Sequence, residues 1–355
     1  MVTTLRWDKM DLTLGQQLIL DSDAPRIGVC SCAASAKTAT LTEKVRRLLQ
    51  QGVDPTTIAV ITFTNMASAE LIERLKDDYQ AGLFVGTIHS LAAQMLARGG
   101  YGAYIDEIAE EEEFDKFFEI LEDHPEIVIH YDWVIIDEAQ DTGVHELQFI
   151  FDMIDPPHFF CCYDTRQTIY QFAGSDPAIL KAYLARKQAR IYSLNENFRN
   201  SKNILNFAKR IIRKSGELDN SVAMRQRDGQ VIECTYDGDY LMSLIKASGD
   251  YSSWAILTRT NAQLSQCAYD LHRNNIPYNS FKQSEVTLAQ MEQLLKENKV
   301  KLLTIHSSKG LAFDKVIVRG AVWWGEDAVY VNYVAATRAR DLLIWTKEPP
   351  KRKKI

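Results

Sequence analysis

The sequence predicts an α/β protein built around parallel, doubly wound sheets in two successive domains. Three observations carry that expectation. Short apolar runs alternate with segments of helical period, the pattern of strands joined by crossover helices. One run, Trp133–Ile136, reads as a fully buried strand and ends in the acids Asp137 and Glu138. Another, 27–30, runs into a small-residue loop, 31–38, that opens a helix. Around residue 190 the alternation restarts, so the expected division is 1–189 and 190–355.

Composition narrows the class. The chain has 355 residues, 46% hydrophobic and 25% charged, as in ordinary globular proteins of two or three domains. Its net charge is −6, so any nucleic-acid contact must come from a local groove rather than a global positive field. Six cysteines, at 30, 32, 161, 162, 234 and 267, include no Cys-x-x-Cys pair, which argues against zinc. Several lie in apolar runs, as reduced thiols of a cytoplasmic protein do. The N-terminus lacks a secretion pattern, and no apolar stretch has membrane-spanning length. The basic tail, Lys351, Arg352, Lys353 and Lys354, reads as a solvated end.

In order, a short helix-like segment follows Leu12 and contains Gln16. Strand 27–30 leads into the loop with Ser35, Ala36, Lys37 and Thr38, then a helix with Leu41, Val45, Leu48 and Leu49 on one face and Gly52 as its stop. Strand, small-residue loop, Lys-Thr and helix is the layout of a phosphate-binding loop. There, backbone amides and the helix N-terminus face the phosphates, the lysine reaches their oxygens and the threonine ligates Mg²⁺. Glycines are expected at 31 and 36 for positive φ and close approach; Ser31 and Ala36 stand there instead. Strands follow at 58–63, near Val85, at Trp133–Ile136 and at 159–163, with an acidic helix face over 106–115. In the second half strands are expected at 190–194, 231–235, 254–258, 300–305, 315–319 and 342–346. Asp137 suits a water-mediated hold on Mg²⁺ and Glu138 the polarising of an attacking water.

With these motifs in order, the chain resembles the UvrD/Rep/PcrA family of superfamily 1 DNA helicases. The resemblance implies two tandem RecA-like domains of P-loop NTPase type, with ATP and Mg²⁺ bound in the cleft between them. By the same likeness Gln16 reads adenine and Phe198 stacks on it, while Ser35, Ala36, Lys37 and Thr38 hold phosphates. Thr38 and Asp137 hold the metal. Glu138 is the catalytic base, Gln167 couples the γ-phosphate to DNA, and Arg199 and Arg338 are arginine fingers. Phe63, Thr64, Asn65, His89, Tyr170, Phe172, Thr304 and His306 line the single-strand path. Bases would stack on Phe63, Tyr170 and Phe172 without sequence preference.

Departures from the family pattern qualify the likeness. Besides Ser31 and Ala36, Ala39 replaces an adenine-side arginine, Tyr163 a glycine, Ala173 a DNA-contacting arginine and Ala312 a ribose-holding glutamate. Only about forty residues separate Ser90 from Asp132, and about twenty Phe281 from Lys301, so the family's accessory subdomains are expected to be largely absent. The expected function is an ATP-dependent, 3′-to-5′ single-stranded DNA translocase or helicase. It would act as a monomer on single strands or tailed duplexes, away from membranes, with a protein partner for loading. The alternative is a hydrolysis-impaired module that binds single-stranded nucleic acid or docks a partner.

Overall fold

The computed structural model describes residues 12–111, 113–171, 174–321 and 327–348. The chain forms two compact units. Among the described residues, one gathers 12–31 with 36–194; the other gathers 195 onward with the loop segment 32–35.

The first unit is a six-stranded parallel sheet. Its strands are β1 (Arg26–Ser31), β2 (Ile58–Thr62), β3 (Phe84–Thr87), β4 (Trp133–Ile136), β5 (His158–Tyr163) and β6 (Arg190–Leu194), in spatial order β3-β2-β4-β5-β1-β6. Both faces are covered because successive side chains point to opposite sides. Val134 and Ile136 enter one core with Leu91, Leu121 and Phe149. Ile135 enters the other with Leu41, Val45 and Leu71. The helices are α1 (Leu14–Leu20), α2 (Lys37–Gln50), α3 (Asn65–Leu75), α4 (Ile88–Arg98), α5 (Gly102–Glu111), α6 (Lys116–Asp123), α7 (Val144–Gln148) and α8 (Pro177–Arg186). The acidic stretch forms α5, which buries Ile108 and leaves its acids in water.

One expectation is corrected here. Strand 190–194, read as opening the second domain, is β6 of the first sheet and pairs with β1 from Ile27↔Arg190 to Ser31↔Leu194. A strand 27 residues after β5 carries no mark of which sheet it will join; only pairing decides.

The second unit has a small pair, β7 (Glu196–Asn197) with β8 (Val222–Ala223), and a six-stranded parallel sheet. The sheet comprises β9 (Gln230–Thr235), β10 (Trp254–Thr258), β11 (Tyr278–Asn279), β12 (Val300–Thr304), β13 (Phe313–Arg319) and β14 (Ala339–Lys347), ordered β11-β12-β10-β13-β14-β9. Its helices are α9 (Lys202–Ile212), α10 (Gly238–Ala247), α11 (Asn261–Arg273), α12 (Leu288–Lys296) and α13 (Ala328–Ala336). One face packs Ile256, Leu302 and Ile344 against Leu241 and Leu271. On α9, Phe207 meets Trp345 edge-on at 5.2 Å. All six cysteines are free thiols. Among the described residues no helix is long and apolar enough to cross a membrane.

Candidate active site

The site in the first unit grows from the C-terminal ends of its strands, where open parallel sheets present ligand-binding residues. Strand β1 ends at Ser31, and α2 begins at Lys37 after Ala36, which takes a left-handed conformation (φ 62°) and offers no side-chain cap. The first turn of α2 holds no acid. Its amides have no acceptors within the helix, which makes this end a ready anion site.

Positive φ falls at Ala34 (57°) and Ala36 (62°), not at Ser31. The glycine expected at 31 is therefore not required for backbone freedom. Ser31 is extended in β1, its hydroxyl donates to Tyr163 O at 3.0 Å, and its carbonyl accepts from Arg166 Nη2 at 2.6 Å. Ser35 Oγ is buried with no hydrogen-bond partner among the described residues. In the unit that contains segment 32–35, Ala33 O accepts from Asn197 Nδ2 at 2.8 Å and Ala34 O from Phe198 N at 3.1 Å.

Strand β4 delivers the acids. Thr38 Oγ1 donates to Asp137 Oδ2 at 2.7 Å, and Lys37 Nζ lies 2.9 Å from Glu138 Oε1. Glu138 itself is left-handed (φ 53°), a strained backbone of the kind that gathers at functional sites. Burial pulls the Lys37 ammonium down, but Glu138, Asp164 and Asp137 outweigh it, so its pKa is raised. Burial, then Glu138, pushes Asp137 up to about 6, against Lys37 and the Thr38 hydroxyl.

Sequence reasoning gave no role to Gln140, Asp164 or Arg166, yet they bind the site together. Gln140 Nε2 donates to Glu138 Oε2, and Gln140 Oε1 accepts from Asp164 N at 2.9 Å. Asp164 takes Arg166 Nε and Gln167 Nε2, each at 2.7 Å. The signal lay in Asp-Glu-Ala-Gln-Asp itself, whose fourth residue is 1% exposed and polar, and buried polar groups are hydrogen-bonded. Gln16 caps α1 with Thr13 and donates to Thr40 Oγ1 at 2.8 Å.

A magnesium ion fits the donor set. Among the described residues no three His, Cys, Asp or Glu side chains gather as a metal cage. A hydroxyl and one carboxylate already in contact suit an ion completed by phosphate and water oxygens.

Along the same sheet edge, Phe63 and Tyr170 face each other at 4.9 Å. Thr64 caps α3 by accepting from Ala67 N, and Asn65 starts that helix. His89, expected on the same path, is half-buried. Its ring packs on Phe114 (5.3 Å) and Phe118 (5.5 Å), and Nε2 lies 3.4 Å from Glu146 Oε1. Burial lowers its pKa despite Asp115. Phe172 and Ala173 lie outside the described residues, as does the basic tail.

In the second unit the two arginines expected as fingers are neighbours. Arg199 Nη1 donates to Thr337 O at 3.4 Å, one residue before Arg338. Arg338 is 1% exposed and donates to Val334 O (3.0 Å), Leu311 O (3.2 Å) and Thr337 Oγ1 (3.1 Å). Thr304 and His306 line a cavity of about 630 Å³ at the ends of β10 and β12, together with Arg259, Asn261, Phe281 and Lys282, which sequence reasoning missed. Arg259 is anchored to Asp327 at 2.8 Å.

The chain is similar to known proteins. The UvrD/REP helicase N-terminal domain matches residues 13–129 and 116–188, and the UvrD-like helicase C-terminal domain matches 192–286. A protein of Mycoplasma capricolum named "Probable DNA helicase II homolog" is 24% identical over 76% of this chain and 52% of its own length. The ATP-dependent DNA helicase PcrA of Staphylococcus epidermidis is 23% identical over 69% of this chain and 47% of its own. A protein of Mycoplasma pneumoniae named "Probable DNA helicase" is 27% identical over 61% of this chain and 43% of its own. The chain thus spans about half the length of these relatives. Two matched domains in sequence, on two parallel α/β sheets of RecA-like type, make this chain a member of the UvrD/Rep helicase family.

Proposed function

We propose that this chain is an ATP-driven motor on single-stranded DNA, moving 3′ to 5′. The observation that supports it best is the convergence of Lys37, Thr38, Asp137 and Glu138 at the uncapped start of α2. Lys37 and the α2 amides would bind the β- and γ-phosphates, and Thr38 and Asp137 would hold magnesium. When bound, magnesium neutralises charge on those phosphate oxygens. Glu138 would orient a water for in-line attack on the γ-phosphorus, releasing ADP and phosphate. Arg199 and Arg338 would leave Thr337 O and Leu311 O to meet the charge that develops there, as domains close in the family's cycle. Bases would stack on Phe63 and Tyr170 and enter the cavity at Thr304 and His306.

The deciding experiment is ATP hydrolysis with and without a thymidine oligomer, in the wild-type chain, Lys37→Ala and Glu138→Gln. Stimulation seen only in the wild type is expected; identical rates in all three would sink the motor. A second reading, a single-strand-binding module without turnover, draws on the left-handed Ala36, where the phosphate-loop pattern has glycine. It predicts DNA affinity indifferent to a non-hydrolysable ATP analogue.

A further inference from the structure

The loop after β12 carries Thr304 and His306 into the cavity, and its own turn accounts for part of its backbone. Ser308 N and Ser308 Oγ donate to Ile305 O, Lys309 N to His306 O, and Leu311 N to Ser308 O. Ser307 N is taken by Thr304 Oγ1. Two further carbonyls of the loop, those of Ser307 and Lys309, are bonded from outside it, as a carbonyl out of water needs a donor. Both receive the amide of one side chain: Gln283 Nε2 donates to Ser307 O at 3.0 Å and to Lys309 O at 2.8 Å. At its other end the loop is tied by Arg338 through Leu311 O.

Gln283 belongs to the short connection between β11 and β12, where it starts a single 3₁₀ turn, Gln283–Glu285. The neighbouring Phe281 and Lys282 line the cavity opposite Thr304, His306 and Ser307. Phe281 is buried against it, and Lys282 is exposed at its mouth, paired with Glu285 at 2.6 Å. The connection thus walls the cavity and holds its loop.

We infer that the connection 280–285 completes the single-strand site of the second unit, with Gln283 as the positioning residue that fixes the Ser307–Lys309 backbone and Lys282 as a phosphate contact. This rests on the single-strand reading above and adds residues to it. An uncharged amide that only shapes the loop changes affinity without changing how many counterions DNA binding releases. A phosphate-binding ammonium changes both.

The test is equilibrium binding of a labelled thymidine oligomer over a range of salt, with the full chain and with Gln283→Met, Gln283→Glu and Lys282→Ala. Losing two hydrogen bonds to carbonyls should weaken binding roughly tenfold in Gln283→Met with an unchanged salt slope. Gln283→Glu, which keeps the shape but sets a carboxylate against two carbonyls, should weaken it at least as much. Lys282→Ala should lower the salt slope by about one. Hydrogen exchange at amides 307–311 reports the loop directly and should quicken in both Gln283 variants. Faster exchange with wild-type DNA affinity would reduce Gln283 to a structural bond and overturn the inference. Wild-type slope and affinity in Lys282→Ala would overturn its contact. A wild-type chain that binds no oligomer at all would instead fail the single-strand reading, and this inference with it.

Discussion

Lys37 Nζ sits 2.9 Å from Glu138 Oε1, so the cation suited to a triphosphate is paired with the carboxylate suited to orient the attacking water. Thr38 and Asp137 are likewise held together. Phosphate oxygens would have to replace Glu138 as the partner of Lys37, which frees the carboxylate for water at the step that needs it. In that arrangement nucleotide binding itself prepares the base.

Gln140 links Glu138 to Asp164, and through Asp164 to Gln167. Gln140→Leu should leave the buried Asp164 amide without this acceptor, worth about 1–3 kcal/mol, and remove one donor from the half-buried Glu138 carboxylate. The expected result is at least a tenfold fall in DNA-stimulated kcat with a smaller change in the KM for ATP, measured by phosphate release. Unchanged kcat would remove Gln140 from the coupling of base and sheet.

Ala36 holds a left-handed conformation that costs an L-residue about 1–2 kcal/mol. Ala36→Gly relieves that strain and loses part of the gain to unfolded-chain entropy. It should raise the urea midpoint slightly and lower the KM for ATP. A clearly lower midpoint would mean the methyl group packs better than the backbone strains.

Phe63 and Tyr170 lie 4.9 Å apart with their rings tilted by 37°, beyond the C-terminal ends of the first sheet's strands. Removing either ring should weaken thymidine-oligomer binding by about 1–3 kcal/mol per base lost, whatever the sequence of the oligomer. Fluorescence anisotropy with mixed-sequence and homopolymer strands checks this. Loss confined to one sequence would contradict a stacking platform.

Lys301 is fully buried and donates to the carbonyls of Ser252, Glu297 and Lys299. Burial lowers its pKa to about 8, against the pull of Asp250 and Glu297. A lysine whose folded pKa lies below its unfolded value of roughly 10.4 costs stability while charged in the fold. From pH about 8 up to that value the unfolded chain binds the extra proton. This group's contribution to stability therefore rises with pH through that window. Urea midpoints of the wild type relative to Lys301→Met should climb between pH 8 and 10; a flat difference would rule out the depressed lysine.

The strand Trp133–Ile136 appears in the structure with the bounds read from its apolar run, and Trp254–Thr258 does too. Both are buried on two faces, so four or five consecutive apolar residues mark them without help from neighbours. The first-unit partners Lys37, Thr38, Asp137 and Glu138 were legible because each sits at the end of such a strand or the start of the helix behind it. Gln140, Asp164, Arg166 and Gln283 were not, because a buried amide or guanidinium gains its meaning from partners distant in sequence: Asp164 lies 24 residues from Gln140. His89 likewise gains neighbours its motif could not name, since Phe114 and Phe118 pack on its ring and leave it half-buried.

What the sequence determined alone is the set of local periods and turn-forming residues: the alternating strands and helices, and the acids and Lys-Thr placed at their ends. Those depend on side-chain alternation and burial within a few residues. Only the tertiary structure decided that 190–194 joins the first sheet, that positive φ falls at Ala34 rather than Ser31, and that one glutamine amide holds the loop after β12. Strand pairing and hydrogen bonds across long sequence separations are chosen by the packed chain as a whole, and no local period encodes them.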